Sequence, residues 1–297
     1  MYKILFIGIG KMGYPMAGYL SNQHEISVYN RTKSKCYSWI KDYKGEVIDD
    51  LSSNKKKFDF IISCIGNDND LKEITSPQKG CLNSVHNKTI FIDHSTVSPK
   101  IVREIEEKFT GLGASFLDAP ISGGQEGAEK GQLSIMVGGS KQAFDKSLEI
   151  FESYGKMIKY MGRSGSGQLT KIINQICIAG TIQGLSESIF FMKHTELNPE
   201  DVLDVISSGG AQSWQMNNRF KTMVKGEFDF GFAVDLMRKD LDIAFSAADE
   251  YGINLEVTKL VDQFYEDVQN LGGNKLDTSS LICLLYTSDA ADEGGSG

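Results

Sequence analysis

The stretch from Lys3 to Thr32 constrains the fold more than any other. Tyr2 to Ile7 is a short apolar, β-prone run, and Gly8-Ile9-Gly10-Lys11-Met12-Gly13 follows at once. Tyr14 to Ser21 has helical character, Ile26 to Tyr29 reads as a second strand, and Asn30-Arg31-Thr32 closes it. A G-x-G-x-x-G turn between a strand and a helix is the context in which that spacing means dinucleotide binding. The first glycine permits a tight turn, the second lets backbone approach a pyrophosphate, and the third lets helix and strand pack closely. The helix N-terminus then offers free N–H groups to the phosphates. A glycine turn alone would fit any α/β protein; its place between two strands makes Gly8 to Gly13 the cofactor-binding candidates.

The end of the second strand selects the cofactor. NAD sites usually place an acid there for the ribose hydroxyls. This chain carries Asn30, Arg31 and Thr32 instead. A guanidinium fork pairs with a 2′-phosphate, and a threonine hydroxyl adds a hydrogen bond. The expectation is NADP(H) in preference to NAD(H). The plain alternative is that Arg31 is only a solvated surface base.

A length of 297 residues allows two domains, and a formal charge of −8 disfavours nucleic acid or an anionic membrane as partner. The five cysteines (Cys36, Cys64, Cys81, Cys177, Cys283) contain no C-x-x-C, and the four histidines have no metal-type spacing. Reduced thiols in a cytoplasmic protein are expected, with no bound metal. The first residues belong to a strand, so neither a signal peptide nor a membrane anchor is expected.

Strand-like runs recur at residues 58–65, 89–93, 115–118, 133–137 and 157–160, with helical stretches such as Pro99 to Thr110 and Lys141 to Tyr154 between them. This alternation predicts an α/β Rossmann-type domain with a parallel-rich sheet and helices on both faces. Ligands of such sheets lie beyond the carboxyl ends of the strands, here near Gly8, Asn30, Ile65, Thr96 and Ser122. A glycine-rich break at 162–167 precedes one long helix over about 167–193, whose middle is apolar nearly all round and is therefore expected to be buried. Further helices are predicted over 199–207, 213–224, 234–251 and 257–269. The predicted division is a dinucleotide-binding domain over 1–163 and an all-α C-terminal domain over 164–282, joined by the long helix.

Lys171 and Asn174 share one face of that helix by their i, i+3 spacing. A lysine in so apolar a setting needs water, a partner or a ligand for its head group. With a free pKa near ~10.4 it is a ready acid for carbonyl reduction. A snorkelling lysine beside an ordinary core amide fits these residues equally well.

Four motifs in order make the chain resemble the β-hydroxyacid dehydrogenases, which include 3-hydroxyisobutyrate dehydrogenases and glyoxylate/succinic semialdehyde reductases. They are Gly8-Ile9-Gly10-Lys11-Met12-Gly13-Tyr14-Pro15-Met16, Asp118-Ala119-Pro120-Ile121-Ser122-Gly123-Gly124, Gly167-Gln168-Leu169-Thr170-Lys171-Ile172-Ile173-Asn174 and Lys239-Asp240-Leu241. The resemblance covers roughly Met1 to Ile282. It implies a reversible hydride transfer between NADP(H) and a small hydroxy acid or its aldehyde or keto acid. It implies Lys171 as general acid/base and Asn174 as the residue that orients it or the substrate. Ser122, Gly123 and Gly124 are implied to hold a substrate carboxylate, with Ile65, Thr96, Phe232 and Lys239 around the cofactor. Trp214 lines the pocket or packs in the core. A homodimer or homotetramer built through the helical domain is implied as well.

Imine reductases resemble the same fold but usually lack the lysine. 6-Phosphogluconate dehydrogenase shares the serine-glycine-glycine and lysine-asparagine motifs but has a much longer helical half. A non-catalytic NADP-binding protein is disfavoured by the joint presence of Ser122, Lys171 and Asn174. Cys283 to Glu293 looks like a translated sequencing-library adapter and Gly294 to Gly297 like an artificial linker. Residues 283–297 are therefore expected to be non-native and disordered.

Overall fold

The computed structural model describes residues 1–286 and divides into two compact units, Met1–Lys171 and Ile172–Gly297. In the first, β1 (Lys3–Ile7), α1 (Gly13–Leu20), β2 (Glu25–Tyr29), α2 (Lys33–Asp42) and the two-residue β3 (Glu46–Val47) form one half. The other half comprises β4 (Phe60–Ser63), α3 (Asp68–Ile74), β5 (Ile90–Asp93), α4 (Pro99–Gly111) and β6 (Ser115–Asp118). The chain continues through β7 (Ile121–Ser122), α5 (Gly124–Glu129), β8 (Leu133–Gly139), α6 (Lys141–Glu152) and β9 (Gly155–Gly162). The sheet order is β3-β2-β1-β4-β5-β6-β8-β7, and β9 pairs with β8. The first six strands in this order are mutually parallel, whereas β8 runs antiparallel to β6 and β7. Strand order 3-2-1-4-5-6 reverses direction between β1 and β4, the crevice where such sheets take a dinucleotide.

Period-two alternation explains why both faces are covered. Ile4 and Phe6 of β1 point to the cluster formed with α1, α2 and α6, where Met16, Leu20, Trp39 and Phe151 are buried. Leu5 and Ile7 point to the opposite cluster, with Leu71 of α3 and Ile101, Ile105 and Phe109 of α4. Ser98 and Ser140 cap α4 and α6 by accepting from the N–H groups of Ile101 and Ala143, so the predicted starts of these helices rest on ordinary N-caps.

α7 (Ser166–Lys193) begins in the first unit and continues through the second. There, α8 (Pro199–Ile206), α9 (Trp214–Lys225), α10 (Val234–Glu250) and α11 (Glu256–Asn270) follow. Ala179 and Ile182 of α7 pack with Met237 and Leu241 of α10 and Val261 and Tyr265 of α11. Leu185, Ile189 and Met192 pack with Leu203 of α8 and Phe220 and Met223 of α9. The helix is thus the spine of both clusters.

Two expectations are corrected. α7 is not buried all round, since Ile173 is 62% and Phe191 73% exposed; beyond its first turns, its buried residues pack on α8 to α11. Disorder does not begin at Cys283, because residues 282–286 are helical, Leu284 packs on the first cluster of the second unit, and Cys283 and Tyr286 pack on the other. Apolar side chains there find an apolar surface, whatever their origin. The remainder of the expected tail, residues 287–297, lies outside the described residues.

Candidate active site

Each glycine of the first turn has its own geometry. Gly8 has φ +100, and a Cβ on it would lie 2.2 Å from the Cys64 carbonyl oxygen. Gly13 sits where a Cβ would fall 2.0 Å from the Gly8 oxygen. Both are required by the chain's own packing. A Cβ on Gly10 would meet nothing within 4 Å. That open space above a helix N-terminus fits the approach of a pyrophosphate, and the residues present therefore suit a dinucleotide.

The carboxyl ends of β1, β2, β4 and β5 bring most of the predicted cofactor residues together. The Ile9 N–H donates to Asn30 Oδ1 at 3.0 Å, which ties the glycine turn to the end of β2. Lys11 is exposed, Met12 is half-buried, and Thr32 precedes α2 without capping it. Arg31 is almost fully exposed and reaches Asp70 on α3 at 3.1 Å. Its head group is therefore shared with an acid that sequence reasoning overlooked.

Ile65 follows β4, and its N–H donates to Ser95 Oγ at 2.9 Å. Ser95 Oγ in turn donates to Asp93 Oδ1, as does Ser63 Oγ. The half-buried Thr96 follows Ser95. His94 is buried; its Nδ1 meets the Ala119 oxygen at 2.6 Å and its Nε2 the Tyr154 hydroxyl at 2.9 Å. A ring nitrogen beside a carbonyl oxygen must be the donor, so Nε2 accepts from Tyr154. Burial holds this imidazole neutral, its pKa pushed down to about 4 against the pull of the Ala119 carbonyl.

Ser122 ends β7, which runs in the same sense as β6, so it lies at the same edge of the sheet as the predicted cofactor residues at the ends of β1, β2, β4 and β5. Gly123 and Gly124 have φ +128 and +64, a conformation that favours glycine. Both are exposed at the start of α5.

Lys171 lies in the second turn of α7, 8% exposed. The start of that helix is held by two motif residues, Asp118 and Gln168, to which the sequence assigned no role. Gly165 N–H and Gln168 N–H donate to Asp118 Oδ1 and Oδ2 at 2.8 and 2.9 Å. Burial pushes the Asp118 carboxyl up to about 7, opposed by these two N–H groups. The Gln168 side chain donates to the Ser95 oxygen at 2.8 Å and accepts from the Val97 N–H at 3.2 Å. These bonds hold the first turn of α7 to the first compact unit.

In the second unit, Asn174 Nδ2 donates to Gln175 Oε1, and Gln175 Nε2 donates to Asp240 Oδ2, both at 2.7 Å. Lys239 Nζ lies 2.9 Å from Asp240 Oδ1, close enough for an ion pair. Asn174 and Lys239, far apart in sequence, are thus joined through two buried polar residues. Phe232 N–H donates to Asp277 Oδ2 at 2.9 Å, and its ring packs on the α7–α10–α11 cluster. Trp214 is not a core residue: it is half-exposed at the start of α9, with the Arg219 guanidinium 4.9 Å above its ring.

Comparison with known proteins agrees with this architecture. Residues 3–162 match the NAD-binding domain of 6-phosphogluconate dehydrogenase, and residues 165–285 match the NAD-binding region of NADP-dependent 3-hydroxyisobutyrate dehydrogenase. An uncharacterised oxidoreductase of Shewanella frigidimarina is 47% identical over 97% of this chain and 99% of its own. The 2-hydroxy-3-oxopropionate reductase of Escherichia coli is 32% identical over 95% of this chain and 97% of its own. The solved structure of 3-hydroxyisobutyrate dehydrogenase from Mycobacterium tuberculosis is 24% identical and covers 96% of this chain and 99% of its own, with TM-score 0.84. The molecule is a nicotinamide-dependent oxidoreductase acting on CH–OH groups, with NADP(H) or NAD(H) as cofactor. The chain belongs to the β-hydroxyacid dehydrogenase family. No helix among the described residues is long and apolar enough to cross a membrane.

Proposed function

We propose that this hydroxyacid dehydrogenase prefers NADP(H) and interconverts a small hydroxy acid with its aldehyde or keto acid, Lys171 serving as general acid/base. The observation that carries the reading is Lys171 itself: a lysine in a mostly buried helix turn, one turn beyond the residue that clamps the Ser95–Val97 loop. Bound NADPH supplies the hydride to the carbonyl carbon. Lys171 donates its proton to the carbonyl oxygen as charge develops there, and in the reverse direction takes the hydroxyl proton. General acid help of this kind contributes about 10²–10⁴-fold. Ser122, with the N–H groups of Gly123 and Gly124, receives the substrate carboxylate; small residues allow close backbone approach. Asn174 orients Lys171 or the substrate, and Thr96, Phe232 and Lys239 face the nicotinamide end.

Arg31 supports the NADP preference, since its exposed fork can exchange Asp70 for a 2′-phosphate. A homodimer or homotetramer through the helical unit is part of the same reading, supported by exposed Ile173, Phe191, Val205 and Val257 and testable by light scattering. A cytoplasmic location accompanies it, supported by cysteines that form no disulfide among the described residues.

The test is a panel of glyoxylate, succinic semialdehyde and related aldehyde acids with both cofactors, run on the native protein, Lys171→Ala and Arg31→Ala. Lys171→Ala should bind NADPH normally and lose at least about 10²-fold in kcat. Arg31→Ala should lower the NADPH/NADH ratio of kcat/KM. Near-normal turnover in the first variant would sink the acid assignment, and an unchanged ratio in the second would sink the cofactor preference.

A further inference from the structure

We propose that Gln168 is a positioning residue for hydride transfer: its buried amide locks the Ser95–Val97 loop to the turn of α7 that carries Lys171, and Asp118 seats that turn on the sheet. The first N–H groups of any helix lack intrahelical partners, and the third position is normally served by a side chain at the cap. Here the residue before Ser166 is Gly165, with φ +88 and no side chain to offer. Asp118, at the end of β6, supplies the carboxylate from 47 and 50 positions away, accepting from Gly165 and from Gln168. Room for it is made by two further glycines. A Cβ on Gly138 would fall 2.4 Å from Asp118 Oδ1, and one on Gly167 would fall 2.8 Å from Oδ2. The helix start is therefore fixed to the sheet rather than to its own preceding loop.

Gln168 carries that registration to the cofactor side. It is fully buried, and its amide grips the backbone on both sides of Thr96, at the Ser95 oxygen and the Val97 N–H. Leucine or methionine would fill the same volume; what the amide adds is a two-ended lock. Ser95 is itself tied to Asp93 and to the Ile65 N–H, so the loop cannot slide along α7 without breaking several buried bonds. Lys171 lies three residues beyond Gln168, on the same side of the helix. One side chain thus spans from the loop that carries Thr96 to the helix turn that carries the acid. The inference rests on the reading of Lys171 as the acid and Thr96 as a nicotinamide contact.

Gln168→Met in the full chain tests it, because it keeps the volume and removes both hydrogen bonds. We expect the NADPH Kd and the aldehyde-acid KM to stay within about threefold while kcat falls about 10–100-fold. The primary isotope effect with 4-deuterated NADPH should rise as hydride transfer becomes more rate-limiting. The fluorescence anisotropy of bound NADPH should drop as the nicotinamide gains freedom. A variant with unchanged kcat overturns the proposal. So does one whose lower kcat merely tracks a smaller folded fraction, with isotope effect and anisotropy unaltered. Should Gln168→Met not fold, Gln168→Glu decides by the same readouts, since it keeps an acceptor for Val97 and loses the donor to Ser95. Lys171→Ala run alongside separates the two claims: turnover retained there refutes the acid assignment, whereas the anisotropy of the Gln168 variants tests the lock without it.

Discussion

At the scale of single residues, Gly10 separates what the fold needs from what the ligand needs. A side chain at Gly8 or Gly13 would strike backbone about 2 Å away, whereas one at Gly10 would enter open space. Gly10→Ala should accordingly fold as well as the native chain, or gain a few tenths of a kcal/mol (~0.4–1) through the unfolded state. Its NADPH affinity should fall by an order of magnitude or more, because the methyl group stands where a pyrophosphate approaches. Gly13→Ala should instead lose the fold. Thermal melts with and without NADPH check both: the cofactor-induced rise in Tm should shrink in the first variant while its baseline Tm holds. The Arg31–Asp70 pair makes a second residue-scale case. An exposed ion pair contributes at most about 1 kcal/mol, so a 2′-phosphate can displace Asp70. Asp70→Asn should raise the NADPH/NADH ratio of kcat/KM several-fold, the opposite of Arg31→Ala, and a fall would remove Asp70 from the cofactor site.

At the scale of elements, the ends of β5, β6 and α6 meet at His94, a neutral imidazole between the Ala119 carbonyl and the Tyr154 hydroxyl. Its pKa is pushed down to about 4 from the ordinary 6.5, so the unfolded chain binds its proton more readily. The stability from this group is fully present above pH 6.5 and is lost as pH falls through 4, up to roughly 3 kcal/mol. Asp118 acts with the opposite sign: raised to about 7, it gives up stability as pH rises from the ordinary carboxylate range towards neutrality. Comparing native protein with His94→Asn at each pH isolates the histidine. The native advantage in urea midpoint should shrink between pH 6.5 and 4.5, and a constant difference would show that His94 is not held neutral. The elements themselves were largely legible in the sequence. The helices beginning at Ser166, Pro199, Trp214, Val234 and Glu256 lie within a few residues of their predicted positions, because apolar periodicity, caps and prolines are local signals. β3 was missed because two residues carry no period. The apolar outer stripe of α7 was misread as buried because hydrophobicity alone does not say whether a second chain or none covers it.

At the scale of the whole molecule, the motif residues Gly8 to Gly13, Ser122 to Gly124 and Lys171 were legible as contiguous words. The bonds that set their geometry were not: Gln168 to Ser95 spans 73 positions, and Asn174 is linked to Lys239 through Gln175 and Asp240. A hydrogen bond between distant residues leaves no period in either segment. The same limit governs the C-terminus, where composition pointed to a foreign tail from Cys283 onward. The chain nonetheless uses the first part of that segment. The Tyr286 ring lies 5.7 Å from Phe190 and beneath the Lys193 ammonium, while Leu284 and Cys283 pack on the two helical clusters beside the fully buried Ile282. Partial burial of these side chains contributes on the order of 1–3 kcal/mol. A chain ending at Ile282 should therefore melt lower than one ending at Tyr286, and the loss should be confined to the helical unit. Trp214 fluorescence reports that unit and Trp39, buried with its indole N–H on the Tyr14 oxygen of α1, the other. Single-tryptophan variants of the two truncated chains should show the Trp214 transition moving down while the Trp39 transition stays in place. Coincident melting of the two chains would mean that residues 283–286 lie on the helical unit without stabilising it.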